Sequence, residues 1–308
     1  MFGKKGELDI PFGWLFGLIV GAMILSLAIF MATKIMTQEQ TKIDASFAKE
    51  IGVLMNPLQI GAGDSRSGNI KFAVDTQLYL TCEEYGDFGK QKILVSQKSF
   101  GNWTSTGVEV SFNNLHIFSK SLVEGKNFIL MPRKFEFPYK ITELMILIPK
   151  TERYCFVDAP DNVVTEVQNW DLSNVVMNCS DGDIKVCFEG SSGCDISVKY
   201  NEGIIQHPEG RIYFSDDDLM YAGIFSDVET YECQLKRLMK KTASLAMLYR
   251  DKYPIIAKAG CSSNLNNDLV VFSSSLNSLE SSNSIKSLAT QAKTMGEKNN
   301  AKAECRLW

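Results

Sequence analysis

The hydrophobic pattern begins with an uncharged apolar run and continues as an amphipathic one. Residues 11–33 carry no ionisable side chain, and roughly 20 apolar residues suffice for a helix to cross the ~30 Å hydrocarbon core of a bilayer. In the next segment, apolar residues recur at the spacings of one helix face, at Ile43, Phe47, Ile51 and Leu54. The pattern predicts one helix from about residue 12 to about residue 56, with its first half in lipid and its second half outside as a stalk.

The same N-terminal run also fits a second interpretation, a cleaved secretory signal. Lys4 and Lys5 would be its positive end, and the cut would follow Ala28 or Ala32. The apolar core of such signals is about 7 to 15 residues long, whereas this run is longer. We therefore expect a permanent membrane span, with the cleaved signal as the alternative.

Three glycines lie on one face of the predicted span. Gly13, Gly17 and Gly21 are spaced four residues apart, and small residues at this spacing let a second helix approach closely in a membrane. We therefore expect two kinds of partner for the span, the lipid bilayer and a second helix. The second helix belongs either to another copy of this chain or to a different membrane protein.

A Gly- and Ser-rich stretch over residues 61–69 predicts a linker after the stalk. Beyond it the period changes to two, which is typical of half-buried strands, and the clearest example runs from Ile70 to Leu80. The continuous apolar run from Leu144 to Ile148 predicts a strand covered on both faces. We therefore expect residues 70–215 to form a β-rich, sandwich-like domain that is mainly antiparallel.

The period changes again near residue 225. Ser226 followed three residues later by Glu229 is a capping-box pattern with Ser226 as the N-cap, and the helix that it opens is expected to end near Pro254. Two further helix patterns cover about residues 265–279 and 284–299. The expected fold class is α+β, in six segments: a cytoplasmic N-terminal tail (1–10), a transmembrane helix (11–36), an amphipathic stalk helix (37–60), a linker (61–69), a β-rich extracytoplasmic domain (70–215) and a helical C-terminal region (216–308).

Cysteine placement indicates the orientation of the chain. All eight cysteines follow the apolar run, and an even number on one side of a membrane is typical of a disulfide-bonded domain in an oxidising compartment. Two acceptor triplets for N-glycosylation lie on the same side, beginning at Asn102 and Asn178. We expect a single pass through the cytoplasmic membrane, with the N-terminus inside and the bulk of the chain outside.

The sequence leaves most of the disulfide pairing open. Cys187 and Cys194 flank a turn-like segment and are the first expected pair, although a regular hairpin would place them on opposite faces, so the pair requires a bulge or a broken strand end. Cys261 with Cys305 is the second expected pair. Because five cysteines precede residue 215 and three follow it, full pairing requires a bridge between the two regions. The partners stay open for the other four, Cys82, Cys155, Cys179 and Cys233.

Candidate chemistry is sparse. A net charge of −4 and a pI near 5.4 argue against nucleic acid as a partner. The chain lacks the Cys-x-x-Cys spacing that is typical of zinc sites. Neither His116 nor His207 has a Ser or Cys partner in a recognisable catalytic motif. We therefore expect no enzyme activity, no metal site and no cofactor. A basic stripe on the first C-terminal helix is expected to be a solvated face, formed by Lys236, Arg237, Lys240 and Lys241.

The N-terminus resembles that of a known family. Lys4-Lys5-Gly6 directly before Glu7 and an apolar helix is similar to the processing site of archaeal type IV pilin precursors. The resemblance implies cleavage between Gly6 and Glu7 on the cytoplasmic side and packing of the helices in a filament core. The fifth residue after that site is Pro11, where many pilins carry Glu. More broadly, two segments resemble uncharacterised single-pass membrane proteins of archaea, which implies membrane anchoring and no particular activity: residues 9–14 and 154–160.

Two functions remain as hypotheses. The first is a membrane-anchored, disulfide-bonded structural or interaction protein of the cell surface, such as a pilin-like filament subunit. The second is a cell-surface module that binds a small ligand or a glycan and keeps a permanent signal anchor, with Trp103 or Trp170 in its site. A deep pocket lined by aromatic residues would favour the second function.

Overall fold

The structure is a computed structural model that describes residues 12–54, 67–99, 101–103, 109–190, 193–258, 260–261, 264–301 and 305–308. For residues 12, 36–54 and 99 it describes the backbone only. The expected processing site at Gly6 and Glu7 lies outside the described residues, as do residues 61–66 of the expected linker.

The N-terminal helix α1 (Phe12–Leu54) is continuous, as the periodicity predicts. It contains no proline, and no glycine lies between Gly21 and Gly52. Over that segment no proline interrupts the backbone hydrogen bonds of the helix and no glycine weakens it. At ~1.5 Å per residue, its 43 residues extend over about 65 Å. The helix is therefore about twice as long as a bilayer core is thick.

A seven-stranded sheet follows α1. Its strands are β1 (Gly68–Glu83), β2 (Lys90–Ser99), β3 (Asn102–Trp103), β4 (Val110–Phe112), β5 (Ile117–Phe118), β6 (Leu122–Glu136) and β7 (Lys140–Pro149). The spatial order is β3-β2-β1-β6-β7-β5, with β4 also paired to β2. Its pairings are antiparallel apart from β5 beside β7. Helix α1 approaches this sheet at β2 and β4.

A second, six-stranded sheet is mixed. It comprises β8 (Tyr154–Val157), β9 (Val175–Val176), β10 (Ile184–Phe188), β11 (Ile196–Lys199), β12 (Ile204–His207) and β13 (Gly210–Tyr213), with helix α2 (Asp161–Asn169) between β8 and β9. Three neighbouring pairs are parallel, namely β8 with β9, β8 with β10, and β10 with β11. Parallel neighbours need a crossover connection, and α2 provides one. The expected antiparallel arrangement thus describes all but one pairing of the first sheet and only two of the five pairings of the second.

Helices dominate the rest of the chain. They are α3 (Asp217–Ile224), α4 (Val228–Lys258), α5 (Asn266–Asn277), a 3-10 turn (Ser282–Ser284) and α6 (Ile285–Asn300). Helices α5 and α6 lie where the two later apolar patterns predict them. Together with α1 and the two sheets, they confirm the α+β class.

Helix α4 differs from the prediction at both ends. The side chain of Asp227, not of Ser226, caps it, since Asp227 Oδ1 accepts the backbone N–H of Thr230 at 2.7 Å. The Ser226 hydroxyl instead donates to the carbonyl of Ala222. The helix continues through Pro254 to Lys258. The last turns are largely solvent exposed, so water can replace the backbone hydrogen bond that the proline removes.

Two apolar cores cover the two faces of the first sheet. The larger core lies between β6 and β7, the second sheet and helices α3 to α6. The smaller core lies on the opposite face and includes Leu78, Ile93 and Met145. All five residues from Leu144 to Ile148 are buried, alternately in one core and the other. The expected strand with two covered faces is therefore confirmed as β7.

Candidate functional site

Helix α1 exposes a long apolar surface. Its segment Gly13–Ile35 spans 23 residues, is not buried at all, and is the one helix in the described parts of the chain that is long and apolar enough to cross a membrane. Trp14 is 63% exposed and Met23 is 71% exposed. Removing such surface from water stabilises a protein by about 25 cal/mol per Å² of apolar area. Insertion into a bilayer would remove it.

The glycine face of α1 is open. A Cβ atom built at Gly13, Gly17 or Gly21 meets no other atom of the described residues within 4 Å. The missing side chains therefore leave a shallow groove along one side of the helix, and such a groove admits close packing of a second helix.

Four disulfides join the eight cysteines: Cys82–Cys233, Cys155–Cys179, Cys187–Cys194 and Cys261–Cys305. Both expected pairs are confirmed. The expected bridge between the two regions is Cys82–Cys233, which joins β1 to α4 across 151 residues. Together with the apolar helix, the four disulfides fit a membrane-anchored protein with an oxidised extracellular domain.

The Cys187–Cys194 pair needs no hairpin. Strands β10 and β11 run parallel, with Cys187 opposite Ser197, and Cys194 precedes the first residue of β11. The connection turns sharply through Glu189, which has a φ of 55°, and Gly190, which has a φ of 97°. The bridge therefore forms at a strand end. This is one of the two arrangements, a bulge or a broken strand end, that the pair was expected to require.

The side chain of Arg237 on α4 is fully buried, and backbone carbonyls surround it. Its Nε donates to Phe88 O at 3.0 Å, Nη1 to Leu115 O at 2.9 Å and Nη2 to Asn113 O at 3.1 Å. Nη1 also donates to Gln234 Oε1 at 2.7 Å. Within the described residues no carboxylate pairs with this guanidinium, and burial lowers the pKa of Arg237 to about 10.

The neighbouring lysines hold the turn between β1 and β2. Lys236 Nζ lies 3.0 Å from Glu84 Oε1, and Lys240 Nζ donates to Glu84 O at 2.6 Å and to Gly86 O at 3.4 Å. Gly89 in the same turn has a φ of 60°, and a Cβ atom there would clash with the backbone carbonyl of Glu83 and lie 3.0 Å from Cγ of Arg237. The prediction that this basic stripe is a solvated face is therefore wrong, because the Cys82–Cys233 bridge brings the turn onto α4.

His116 lies beside these cations. It is 1% exposed, and the Gln234 side chain lies beside its ring, although neither ring nitrogen makes a hydrogen bond of normal geometry with a described residue. Burial lowers its pKa well below the usual value, as do the charges of Arg237 and Lys241. Burial and the charge of Arg237 likewise lower the pKa of the half-buried Lys241. We call His116, Arg237 and Lys241 the basic cluster.

A second arginine has the opposite surroundings. Arg133 on β6 places Nη1 2.7 Å from Glu166 Oε1 on α2 and Nε 3.7 Å from Asp218 Oδ1 on α3. Its guanidinium lies 4.8 Å from the ring centroid of Trp170 and 5.3 Å from that of Tyr221, within the range of cation–π attraction. We call these five residues the Arg133 clamp.

The clamp contains more acid than base. The Tyr221 hydroxyl donates to Glu166 at 3.0 Å. Burial raises the pKa of Asp218 to about 6, against the pull of Arg133, and Asp216 and Glu166 raise it further. No group of three histidine, cysteine or acidic side chains suited to a metal ion occurs in the described part of the chain. The ion pairs of Arg133 with Glu166 and Asp218 join β6 to α2 and α3.

Three clefts in the described parts of the chain have volumes that suit small molecules. Neither expected tryptophan lines any of them: Trp103 lies beside Lys98, and Trp170 packs in the Arg133 clamp. Each cleft has at most one aromatic residue in its wall. They measure about 290 Å³ between α5 and α6, about 550 Å³ beside α2 and β9, and about 270 Å³ where the two sheets meet near Tyr154 and His207.

The remaining candidate residues, one histidine and two asparagines, lie outside the basic cluster and the Arg133 clamp. His207 is buried, with Nε2 2.9 Å from Gly223 O, and burial lowers its pKa. Asn102 is exposed in β3, and Asn178 is exposed in a bend just before Cys179. Both asparagines are thus accessible for glycosylation, which stays a prediction.

Sequence analysis missed Arg133 and the burial of Arg237. The sequence signal for both is weak. Apolar residues lie nearby, but Lys134 directly follows Arg133 and Lys236 directly precedes Arg237. Arginine is mostly exposed and is seldom fully buried unless its charge is paired, so neither position indicates burial by itself.

No protein-family model matches the chain, and neither a curated protein nor a solved structure matches it significantly.

Proposed function

We propose that the chain is a structural or interaction subunit of the cell surface. In this proposal α1 crosses the cytoplasmic membrane once, the N-terminus lies inside, and the two sheets and the C-terminal helices lie outside. The exposed apolar segment Gly13–Ile35 is the observation that carries the proposal. Four disulfides support the placement of the folded part in an oxidising compartment.

The finer part of the proposal is that α1 packs against other helices, as in a pilin-like filament. Two features support it. The helix continues for about 19 residues beyond Ile35 without a break, which suits a helix that is half in lipid and half in a protein core. The open face of Gly13, Gly17 and Gly21 lets backbones approach closely, and dispersion contacts then favour association in lipid.

A membrane association reporter tests the glycine face. Gly17→Leu fills the groove, and we expect it to weaken association by about 1 kcal/mol or more, roughly a five-fold loss of dimer. Ser26→Leu is the matched control, because nine residues at 3.6 per turn place it about 180° round the helix. Equal association of Gly17→Leu and Ser26→Leu would contradict packing through this face.

The N-terminus of the mature chain tests the pilin-like part separately. A chain that begins at Glu7 supports recognition by a prepilin-type peptidase. A chain that begins at Met1 or Phe2 contradicts that processing and leaves a permanent anchor. A chain that begins at about residue 29 or 33 contradicts the anchor itself, since most of the apolar segment would be lost.

A further inference from the structure

The basic cluster has an uncompensated charge. Arg237 is fully buried and bonded to three backbone carbonyls and an amide oxygen, which solvate its charge without neutralising it. Lys241 lies one turn further along the same face of α4 and is half-buried. In the described parts of the chain, no hydrogen bond or ion pair joins either cation to a carboxylate. Holding charges out of water without counter-charge destabilises the folded state.

His116 adds an independent signal. It is 1% exposed and directly follows Leu115, whose carbonyl accepts a hydrogen bond from Arg237 Nη1 at 2.9 Å. The Gln234 side chain lies beside its ring, but neither ring nitrogen makes a hydrogen bond of normal geometry with a described residue. A neutral imidazole has one N–H donor and one bare nitrogen, and a buried donor left unpaired destabilises the folded state. A single ligand that accepts a hydrogen bond and carries a negative charge would therefore pair with His116 and compensate the two cations.

We propose that His116, Arg237 and Lys241 form a binding site for a small inorganic anion such as chloride. The anion accepts the N–H of His116 and lies between the charges of Lys241 and Arg237. It enters from the Lys241 end, since Lys241 is half-buried whereas His116 and Arg237 are buried. A water molecule would pair with His116 but leave both charges uncompensated, so the chemistry of the site favours the anion. Glu84 in the turn is already paired with Lys236. This site does not depend on the proposed function.

Thermal unfolding of the full-length, oxidised protein in detergent tests the site with chloride as the probe. We compare sodium chloride with sodium gluconate at equal ionic strength. A ligand that binds only the folded state raises Tm by mass action, and we expect chloride to raise Tm by about 2–4 °C more than gluconate and then to saturate. The line width of the ³⁵Cl resonance of bulk chloride should also increase with protein concentration.

Lys241→Met keeps the aliphatic stem and removes the ammonium group. We expect this variant to lose both the chloride-specific Tm shift and the excess line width. Lys258→Met, an exposed change of the same charge on the same helix, should keep both. If Lys241→Met fails to fold, Lys241→Gln replaces it. Identical melting in the two salts, with no excess ³⁵Cl line width in the unmodified protein, would overturn the site.

Discussion

Arg133 and Arg237 each join elements that are distant in sequence, yet their surroundings are opposite. Arg133 keeps 12% of its side chain exposed, contacts Glu166 and Asp218, and stacks against two aromatic rings. Arg237 is fully buried and bonds backbone carbonyls of residues that are 122 to 149 positions away in sequence. One arginine is held by side-chain charge and the other by main-chain dipoles.

The difference shows two ways in which a fold joins its elements through a charge. In the Arg133 clamp, burial raises the pKa of Asp218 to about 6, and the acids Asp216 and Glu166 raise it further. In the basic cluster, burial lowers the pKa of Arg237 to about 10. Removal of the Arg133 side chain would leave acidic partners that water can reach. Removal of the Arg237 side chain would leave buried carbonyls that water cannot reach.

Removal of Arg237 is the largest single perturbation that we expect. Arg237→Ala leaves the carbonyls of Phe88, Asn113 and Leu115 without their donor. We expect the free energy of unfolding to fall by about 3–5 kcal/mol in a urea titration. Arg250→Ala is the control on the same helix, where an exposed pair with Asp251 contributes about 0–0.5 kcal/mol. A loss for Arg237→Ala within about 1 kcal/mol of that control would show that the carbonyls find other donors.

The disulfide beside the basic cluster should matter more than a local one. Cys82–Cys233 closes 151 residues, whereas Cys187–Cys194 closes seven. Chain-entropy arguments give the long bridge about 2–3 kcal/mol more stabilisation than the short one. We expect the double variant Cys82→Ala/Cys233→Ala to lose that much more stability than Cys187→Ala/Cys194→Ala under non-reducing conditions. Equal losses would indicate that the contacts of Arg237 and the neighbouring lysines with the β1–β2 turn already hold α4 against β1 without the bridge.

The smallest effect is a pH dependence of the Arg133 clamp. Because the pKa of Asp218 is about 6 in the folded protein and 3.8 in its usual state, the folded chain holds this proton more tightly. The resulting stabilisation is complete below about pH 4 and is lost as the pH rises through about 6. Asp218→Asn should therefore equal the unmodified protein at about pH 4. At about pH 7.5 it should be more stable by on the order of 1 kcal/mol, a figure reduced for partial solvent exposure.

Urea titrations at the two pH values measure this difference. Asp181→Asn, at an exposed turn position, is the control and should give the same difference from the unmodified protein at both pH values. An Asp218→Asn variant that is less stable than the unmodified protein at about pH 7.5 would mean that the ion pair with Arg133 outweighs the burial of the carboxylate.

Local patterns in the sequence were enough to predict the elements that local physics determines. The apolar run and the stalk periodicity predicted α1, the alternation from Ile70 predicted β1, and the continuous run at Leu144 predicted a strand with two covered faces. The pair Cys187–Cys194 followed from its short spacing. In each case the deciding residues lie within a few positions of one another, so periodicity or loop length carries the information.

Features that depend on distant residues were not predictable in this way. The burial of Arg237 depends on the turn that Cys82–Cys233 brings against α4, and nothing near residue 237 indicates that partner. The parallel pairing of β8 with β9 depends on the crossover through α2, whose apolar pattern is short. Glu166, Asp218 and Arg133 come from three elements, so their proximity appears only once the sheets are assembled.

We propose that the folded part of the chain lies outside the cytoplasmic membrane and that α1 anchors it there. A membrane-impermeant amine reagent applied to sealed native cells tests this most directly, with peptide mass spectrometry as the readout. Lys199, with 58% of its side chain exposed, and the exposed Lys258 are the reporters. We predict that both are labelled in sealed cells and that the labelled chain stays in the membrane fraction. Labelling of these lysines only after the cells are broken, or recovery of the intact chain in the soluble fraction, would contradict the claim.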